Sequence, residues 1–215
     1  MSRRIGLFGG TFDPPHVGHL ALAECAREAL ALDRVVFMPA GAPPHKRGRA
    51  LSPAAARLAM TRLAVRGNPA FEVSAWETRR PGPSFTVDTL RWLARRHPGA
   101  RLWLVLGADS LDEFPTWHRP HEILGLASLA VGARPGARAG GRGAARAAHA
   151  APRGARRGMP RGRVVWLGNP PLDLSSSAVR ARARAGRSIR YLVPDAVARY
   201  AERHGLYRAA RGGGA

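Results

Sequence analysis

The stretch that decides the fold runs from residue 5 to residue 38 and reads IGLFGGTFDPPHVGHLALAECAREALALDRVVFM. Its apolar start at 5–8 predicts a buried strand that ends at two glycines. Helix-forming Ala, Leu and Glu side chains dominate 17–32, and a second apolar run at 34–38 ends at a proline. A strand, a helix and a strand in this order predict two parallel strands joined by a right-handed crossover.

The alternation of strands and helices continues along the chain. Further strands are predicted at 71–75, 101–106, 127–131 and 163–167. Further helices are predicted at 53–65, 85–96, 175–185 and 194–204, with a short one after Arg119-Pro120. Ser52, Ser84 and the serine cluster from Ser175 are expected to cap the first three of these long helices.

This alternation predicts an α/β fold with a doubly wound parallel sheet. In such folds ligands bind at the carboxyl ends of the strands, near the point where the strand order reverses. The loops expected to form a site are therefore 9–19, 39–47, 107–118 and 168–180.

We expect a single domain over 1–207, with an insertion at about 133–163 and a frayed tail at 208–215. The insertion consists almost entirely of Ala, Gly, Arg and Pro and holds no acidic residue. Its first arginines recur every four residues, as on one face of a helix, but the glycines among them disfavour helix. The composition favours a poorly ordered surface insertion.

The formal net charge of +21 is compatible with nucleic-acid binding. All but one of the cationic residues are arginines, and the abundant residue types Arg, Ala, Gly and Pro share GC-rich codons, so part of this excess reflects genome composition. At most, the arginine-rich segment is expected to bind nucleic acid nonspecifically. The single Cys25, the lack of an apolar run of about 20 residues and the lack of a signal-peptide pattern predict a cytoplasmic protein without membrane contact.

The chemically informative segment is Gly9–His19, GGTFDPPHVGH. Its glycines allow a ligand to approach the backbone closely, and His16 and His19 lie three residues apart at a helix start, where both rings can face one side. A helix N-terminus also offers free N–H groups and a partial positive charge. The segment therefore predicts a site for a polyanion such as a nucleoside triphosphate. It is not a P-loop, and no third ligand makes the histidines a zinc site.

This segment resembles the first signature of the nucleotidyltransferase superfamily that contains class I aminoacyl-tRNA synthetases and small adenylyltransferases. The second signature of that superfamily matches Ser175–Arg180, SSSAVR. Within the superfamily, the chain is most similar to the bacterial nicotinate-nucleotide adenylyltransferases. Further matches are PPHK at 43–46, PSFT at 83–86, GADS at 107–110, FPTW at 114–117 and GLY at 205–207.

The resemblance implies a Rossmann-like nucleotidyltransferase fold and the transfer of AMP from ATP to nicotinate mononucleotide, which yields deamido-NAD and pyrophosphate. It implies Mg²⁺ as a companion of ATP, held by phosphates and water and not by a cage of protein carboxylates. The oligomeric state is left open, with a homo-oligomer possible.

The resemblance also implies roles for individual residues. His16, His19, Lys46 and Arg180 would act on the phosphates, with His19 nearest the α-phosphate and Arg180 on the leaving pyrophosphate. Trp117 would stack on the pyridine ring, Thr86 would bind its carboxylate, and Asp109 would bind a ribose hydroxyl. The remaining contacts with ATP would come from Gly9, Gly10, Thr11, Phe12, Ser176 and Ser177.

Two other interpretations remain open at this point. One is a neighbouring enzyme, either pantetheine-phosphate adenylyltransferase, which commonly has Thr in place of His16 and should lack the FPTW element, or a cytidylyltransferase. The other is an RNA- or DNA-binding module that depends on 133–163 and would show steeply salt-dependent binding. The second interpretation leaves the loop motifs unexplained.

Overall fold

The computed structural model describes residues 2–44, 48, 50–132, 164–170 and 172–208. Six strands form one sheet with the order β3-β2-β1-β4-β5-β6, and all of them run parallel. The strands are β1 Arg4–Gly10, β2 Arg34–Pro39, β3 Phe71–Val73, β4 Arg101–Gly107, β5 Ala127–Gly132 and β6 Val164–Leu167. The chain winds outward from β1 in one direction and from β4 in the other, which confirms the predicted doubly wound sheet.

Seven α-helices occur among the described residues. They are α1 Val17–Ala29, α2 Ala54–Val65, α3 Thr86–Arg96, α4 Ala108–Glu113, α5 Pro120–Leu126, α6 Ser176–Arg184 and α7 Asp195–Arg203. Short 3₁₀ turns lie at Glu77–Arg79 and Phe114–Thr116. None of the described helices is both long and apolar enough to cross a membrane.

Helices cover both faces of the sheet because successive strand side chains point to opposite faces. In β4, Leu104 packs in the core cluster that contains Leu90 of α3 and Ile123 of α5. The next residue, Val105, packs in the cluster that contains Ala23 of α1. The continuous apolar run predicted for this strand is therefore the pattern of a strand buried on both sides.

The two C-terminal helices pack against α2 in a third, smaller cluster. Met60 of α2, Val179 of α6 and Val197 of α7 are all buried in it. This packing brings the start of α6 beside the loop after β1, although the two segments are far apart in the chain.

Two of the predicted helix caps were wrong. The residue at the N-cap of α2 is Pro53, and Ser52 instead donates its backbone N–H to Asp13 Oδ2 at 3.0 Å. The residue at the N-cap of α3 is Phe85, whereas the Ser84 hydroxyl accepts N–H groups from another loop. The Ser175 cap is confirmed, since its hydroxyl accepts the Ala178 N–H at 3.1 Å.

Other differences between prediction and structure concern how far individual elements extend. The stretch 107–118, expected to be a loop, contains α4 and a 3₁₀ turn. Strand β3 is shorter than predicted and ends at Val73. The insertion at 133–163, most of the tail at 208–215 and Lys46 lie outside the described residues, so the expectations placed on them stay predictions.

A single buried guanidinium, that of Arg57 in α2, holds the loops around the carboxyl ends of β1 and β2. The residue is 2% exposed. Its Nη1 donates to Thr11 O at 2.9 Å and to Ala40 O at 2.6 Å. Its Nη2 and Nε donate to Gly41 O at 3.1 Å and Ser52 O at 3.0 Å. Four carbonyl groups, one from the loop after β1 and three from the loop between β2 and α2, thus share one cation.

Arg57→Ala is expected to lower the free energy of unfolding by roughly 3–5 kcal/mol, because buried carbonyl groups lose charged donors. Arg57→Lys should recover little of this loss, since an ammonium cannot reproduce the planar fork. Denaturant unfolding measures both variants. Arg62→Ala, at an exposed position on the same helix, is the control, and an equal loss in that variant would contradict the role of Arg57.

Candidate active site

A cleft of about 530 Å³ opens at the carboxyl ends of the central strands, where the strand order reverses between β1 and β4. All four loops named from the sequence contribute to its walls: those after β1, β2, β4 and β6. The segment before α3 contributes as well, through Ser84, Phe85 and Thr86. The cleft is therefore the site that the topology predicts.

The loop after β1 lines the cleft with Gly9, Gly10 and Thr11, but not with the side chain of Phe12. Phe12 has a φ of 49° and is 1% exposed. Its ring packs edge-on against His19, with centroids 5.1 Å apart. A Cβ on Gly10 would come within 3.0 Å of the same ring. The expected contact of Phe12 with ATP thus does not involve its side chain, which instead supports His19.

The two histidines at the start of α1 lie together and both line the cleft. Their rings stack with centroids 3.7 Å apart and an interplanar angle of 28°. The backbone N–H of His16 donates to Nδ1 of His19 at 3.1 Å. Because Nδ1 accepts this bond, neutral His19 carries its proton on Nε2. The helix start thereby fixes which nitrogen of His19 is a donor.

His16 is the more buried of the two histidines. Burial lowers its pKa to about 4, so the ring is neutral at physiological pH. Gly18 leaves the space that this ring occupies, since a Cβ there would lie 3.1 Å from His16 Nδ1.

The start of α6 joins directly to the loop after β1. The Ser176 hydroxyl donates to Pro14 O at 2.9 Å, and Arg180 Nη1 donates to Asp13 O at 2.7 Å. Arg180 Nη2 donates to the Ser177 hydroxyl at 3.2 Å. The Nε atom of Arg180 is buried without a hydrogen-bond partner in the described part of the chain. The two predicted phosphate segments thus form one wall, with the Ser176 side chain serving to join them.

Asp13, which the sequence analysis did not single out, holds this wall in place through hydrogen bonds of its side chain. Its side chain is 1% exposed. The Tyr207 hydroxyl donates to Asp13 Oδ1 at 2.6 Å, and Oδ2 accepts the Ser52 N–H at 3.0 Å. Burial, together with the bond to Asp13, raises the pKa of Tyr207, which keeps it a donor. The only sequence signal was the position of Asp13 inside the motif.

The three residues predicted for the second substrate, Thr86, Asp109 and Trp117, line the same cleft. Thr86 is the first residue of α3, so its backbone N–H belongs to a helix N-terminus. The Trp117 ring packs against Phe114, with centroids 5.5 Å apart. Glu77, His118 and Asn169 also line the cleft, although the sequence reasoning had not named them.

The described residues contain no group of three or more His, Cys, Asp or Glu side chains that could hold a metal ion. Asp109 and Glu113 of α4 are the acidic side chains of the β4 side of the cleft. Lys46 lies outside the described residues, but Pro43 and Pro44 just before it line the cleft. Neutral and cationic donors therefore dominate the wall formed by α1 and α6.

Comparison with known proteins adds independent findings. The cytidylyltransferase-like family matches residues 7–182. A probable nicotinate-nucleotide adenylyltransferase of Thermomicrobium roseum is 47% identical over 205 residues, which span 95% of this chain and 92% of that protein. A protein of Thermus thermophilus with the same description is 46% identical over 95% of this chain and 100% of its own length.

Solved structures agree in fold. The Plasmodium falciparum nicotinic acid mononucleotide adenylyltransferase complexed with NaAD superposes with a TM-score of 0.74 at 14% identity, over 95% of this chain and 97% of that one. The same enzyme complexed with APC gives a TM-score of 0.73 at 15% identity, with the same coverage of both chains.

The low pKa of His16 predicts a pH dependence of stability. Because the folded value of about 4 lies below the unfolded value of about 6.5, the unfolded chain binds a proton first as the pH falls. Stability should therefore be lost between these two values. His16→Gln should show a shallower loss between pH 7 and pH 5 in denaturant unfolding. NMR of the ring protons should find His16 neutral at pH 5, and titration near pH 6.5 would contradict this account.

Proposed function

The chain belongs to the cytidylyltransferase-like family, and within it to the nicotinate-nucleotide adenylyltransferases, and we propose that it transfers the adenylyl group of ATP to nicotinate mononucleotide. The products are deamido-NAD and pyrophosphate, which makes the protein a nucleotidyltransferase of NAD biosynthesis. The observation that carries the proposal is that direct hydrogen bonds join α6 to the loop that leads into α1, so that the starts of both helices line one cleft.

The reaction needs alignment more than acid–base chemistry. The 5′-phosphate of the mononucleotide attacks the α-phosphorus of ATP in line, a new P–O bond forms, and the bond to the β-phosphate oxygen breaks. The attacking phosphate is already an anion, so no strong base and no covalent enzyme intermediate are required. Catalysis rests on positioning and on neutralising charge at the α-phosphate and the leaving pyrophosphate.

His19 and Arg180 are suited to these two tasks. The Nε2–H of His19, fixed by the bond to Nδ1, donates to the α-phosphate as charge develops there. His16, neutral and stacked on His19, keeps that ring in place and offers a further contact to phosphate. Arg180 binds the pyrophosphate beside Ser177 and the N–H groups at the start of α6. Gly9, Gly10 and Thr11 bring backbone close to the nucleotide.

Mg²⁺ enters as part of the substrate, bound to the phosphates of ATP and to water. Lys46 remains a further candidate for a phosphate contact, because it follows two prolines that line the cleft. Both assignments rest on the sequence and on the family.

The second substrate binds on the β4 side of the cleft. Trp117 stacks on the pyridine ring, and Thr86 with its helix-start N–H binds the carboxylate. Asp109 accepts a ribose hydroxyl. The presence of both an aromatic platform and a helix start on this side is what favours a nicotinate ring over a phosphopantetheine arm.

A substrate comparison tests the proposal. Pyrophosphate release is measured with ATP or CTP and each of nicotinate mononucleotide, nicotinamide mononucleotide and phosphopantetheine. The proposal requires ATP with nicotinate mononucleotide to be the best pair, and a preference for CTP or phosphopantetheine would replace it with one of the neighbouring activities.

Three expectations stay predictions from the sequence alone. They are a cytoplasmic location, at most nonspecific contacts of 133–163 with nucleic acid, and a possible homo-oligomer. The family assignment explains the loop motifs without a nucleic-acid partner.

His19→Ala is expected to lower kcat by about two orders of magnitude, the scale for losing one positioned transition-state donor. Steady-state pyrophosphate release measures this effect, and circular dichroism confirms that the variant folds. His121→Ala, at an exposed position in α5, is the control and should keep normal turnover. Normal turnover in folded His19→Ala would remove His19 from the mechanism.

Trp117→Ala is expected to raise the KM for nicotinate mononucleotide far more than the KM for ATP. The stacking contribution is roughly 1–3 kcal/mol by analogy with base–aromatic stacking, which corresponds to about 5–150-fold. Trp117→Phe retains a flat ring and should recover part of the loss. Equal increases in both KM values would assign Trp117 to packing instead.

A further inference from the structure

Glu77 is a buried carboxylate in the wall of the cleft that the mechanism above does not use. It is 7% exposed and lies in the 3₁₀ turn between β3 and α3. A buried carboxylate is costly unless hydrogen-bonded donors surround it, so its contacts indicate what it does.

The Glu77 carboxylate is hydrogen-bonded to the first turn of α3. Thr89 Oγ1, in α3, donates to Glu77 Oε1. The Thr89 N–H donates to Phe85 O at 3.3 Å, so Thr89 connects Glu77 to the residue just before the helix. Beside this turn, the Ser84 oxygen accepts the N–H of Gly41 at 3.0 Å and that of Ala42 at 3.3 Å.

The same contacts join two loops of the cleft. The Ser84 N–H donates to Ala42 O at 3.0 Å, which doubles the link between the segment before α3 and the loop after β2. Gly41 packs directly on the turn, because a Cβ there would lie 2.3 Å from Glu77 O. The turn that carries Glu77 is therefore packed against the loop after β2, which is itself bonded to the segment before α3.

We infer that Glu77 is a positioning residue for the second substrate: through Thr89 it fixes the first turn of α3, and with it the helix start at Thr86 that meets the mononucleotide. This inference rests on the proposed function. Glu77 acts through Thr89, while Thr86 provides the contact to substrate.

Because Glu77 is titratable, the inference predicts that the KM for the mononucleotide depends on pH. Burial raises the pKa of Glu77 to about 7, and hydrogen bonds from Thr89 and Ser84 and the charges of Arg80 and Arg57 oppose this rise. The ionised carboxylate accepts the Thr89 hydroxyl at full strength, whereas the protonated acid is a weaker acceptor. The turn should therefore loosen, and the KM for the mononucleotide should rise, as the pH falls through about 7.

The test compares Glu77→Gln with wild-type protein in pyrophosphate release between pH 6 and pH 8.5. At pH 8.5 the variant should show a KM for nicotinate mononucleotide about 3–10-fold higher, the scale of one net hydrogen bond. The KM for ATP and kcat should change by less than about twofold. The extra rise of the mononucleotide KM at low pH should be absent from the variant. The substrate's own phosphate titrates equally in both proteins, so the difference between the two pH profiles isolates Glu77.

Glu72→Gln is the matched control, because Glu72 lies in β3 and pairs with Arg34 on the surface at 2.7 Å. It should behave as wild type. Thr89→Val keeps the carboxylate and the shape of the side chain but removes the hydroxyl that donates to Glu77, so it should reproduce the selective KM increase even if Glu77→Gln fails to fold.

The outcomes separate this inference from the proposed function. If wild-type protein releases no pyrophosphate from ATP and nicotinate mononucleotide, the proposed function is wrong. If wild type is active and the folded variants raise both KM values equally, or keep the wild-type pH profile, Glu77 is not a positioning residue.

Discussion

The cleft depends on the buried guanidinium of Arg57, which hydrogen-bonds to backbone carbonyl groups at the carboxyl ends of β1 and β2. Backbone carbonyl groups accumulate where β1 and β2 end. Arg57 binds four carbonyl groups from two loops, the one after β1 and the one between β2 and α2. The carboxylates of Asp13 and Glu77 face the same guanidinium and favour its charged form. A neutral side chain at this position would leave the loops without a common partner.

From this centre the two substrate sides are organised separately. Asp13 connects to Ser52, Tyr207 and, through its carbonyl, Arg180, on the side of the cleft proposed for the triphosphate. Glu77 connects to Thr89, in the first turn of the helix whose start is proposed to bind the mononucleotide. Asp13 and Glu77 thus each organise one side of the cleft, and Arg57 links the two sides. The residues proposed to contact the substrates are positioned by residues that do not contact them.

The sequence predicted the strands and long helices well because their apolar periodicity is local. It also predicted that residues as distant as His16 and Arg180 share a site, since family motifs carried that information. The caps assigned to Ser52 and Ser84 were wrong because tertiary partners, Asp13 Oδ2 and the N–H groups of Gly41 and Ala42, compete with local capping. The burial of the Phe12 ring was not predicted, since it accompanies a positive φ that the sequence does not reveal. Arg57 and Glu77 gave no local signal and Asp13 gave only its position inside the motif, because their roles exist only once distant loops meet.

The bond between Tyr207 and Asp13 joins residues 194 positions apart. Synthesis makes the loop of Asp13 among the first parts of the chain and supplies its phenolic partner only near the end of the described residues. A nascent chain that already contains both histidines still lacks Arg180 and Tyr207, and so it lacks the wall that these residues form with the loop after β1. The order of translation therefore delays assembly of this wall until the C-terminal helices have been synthesised.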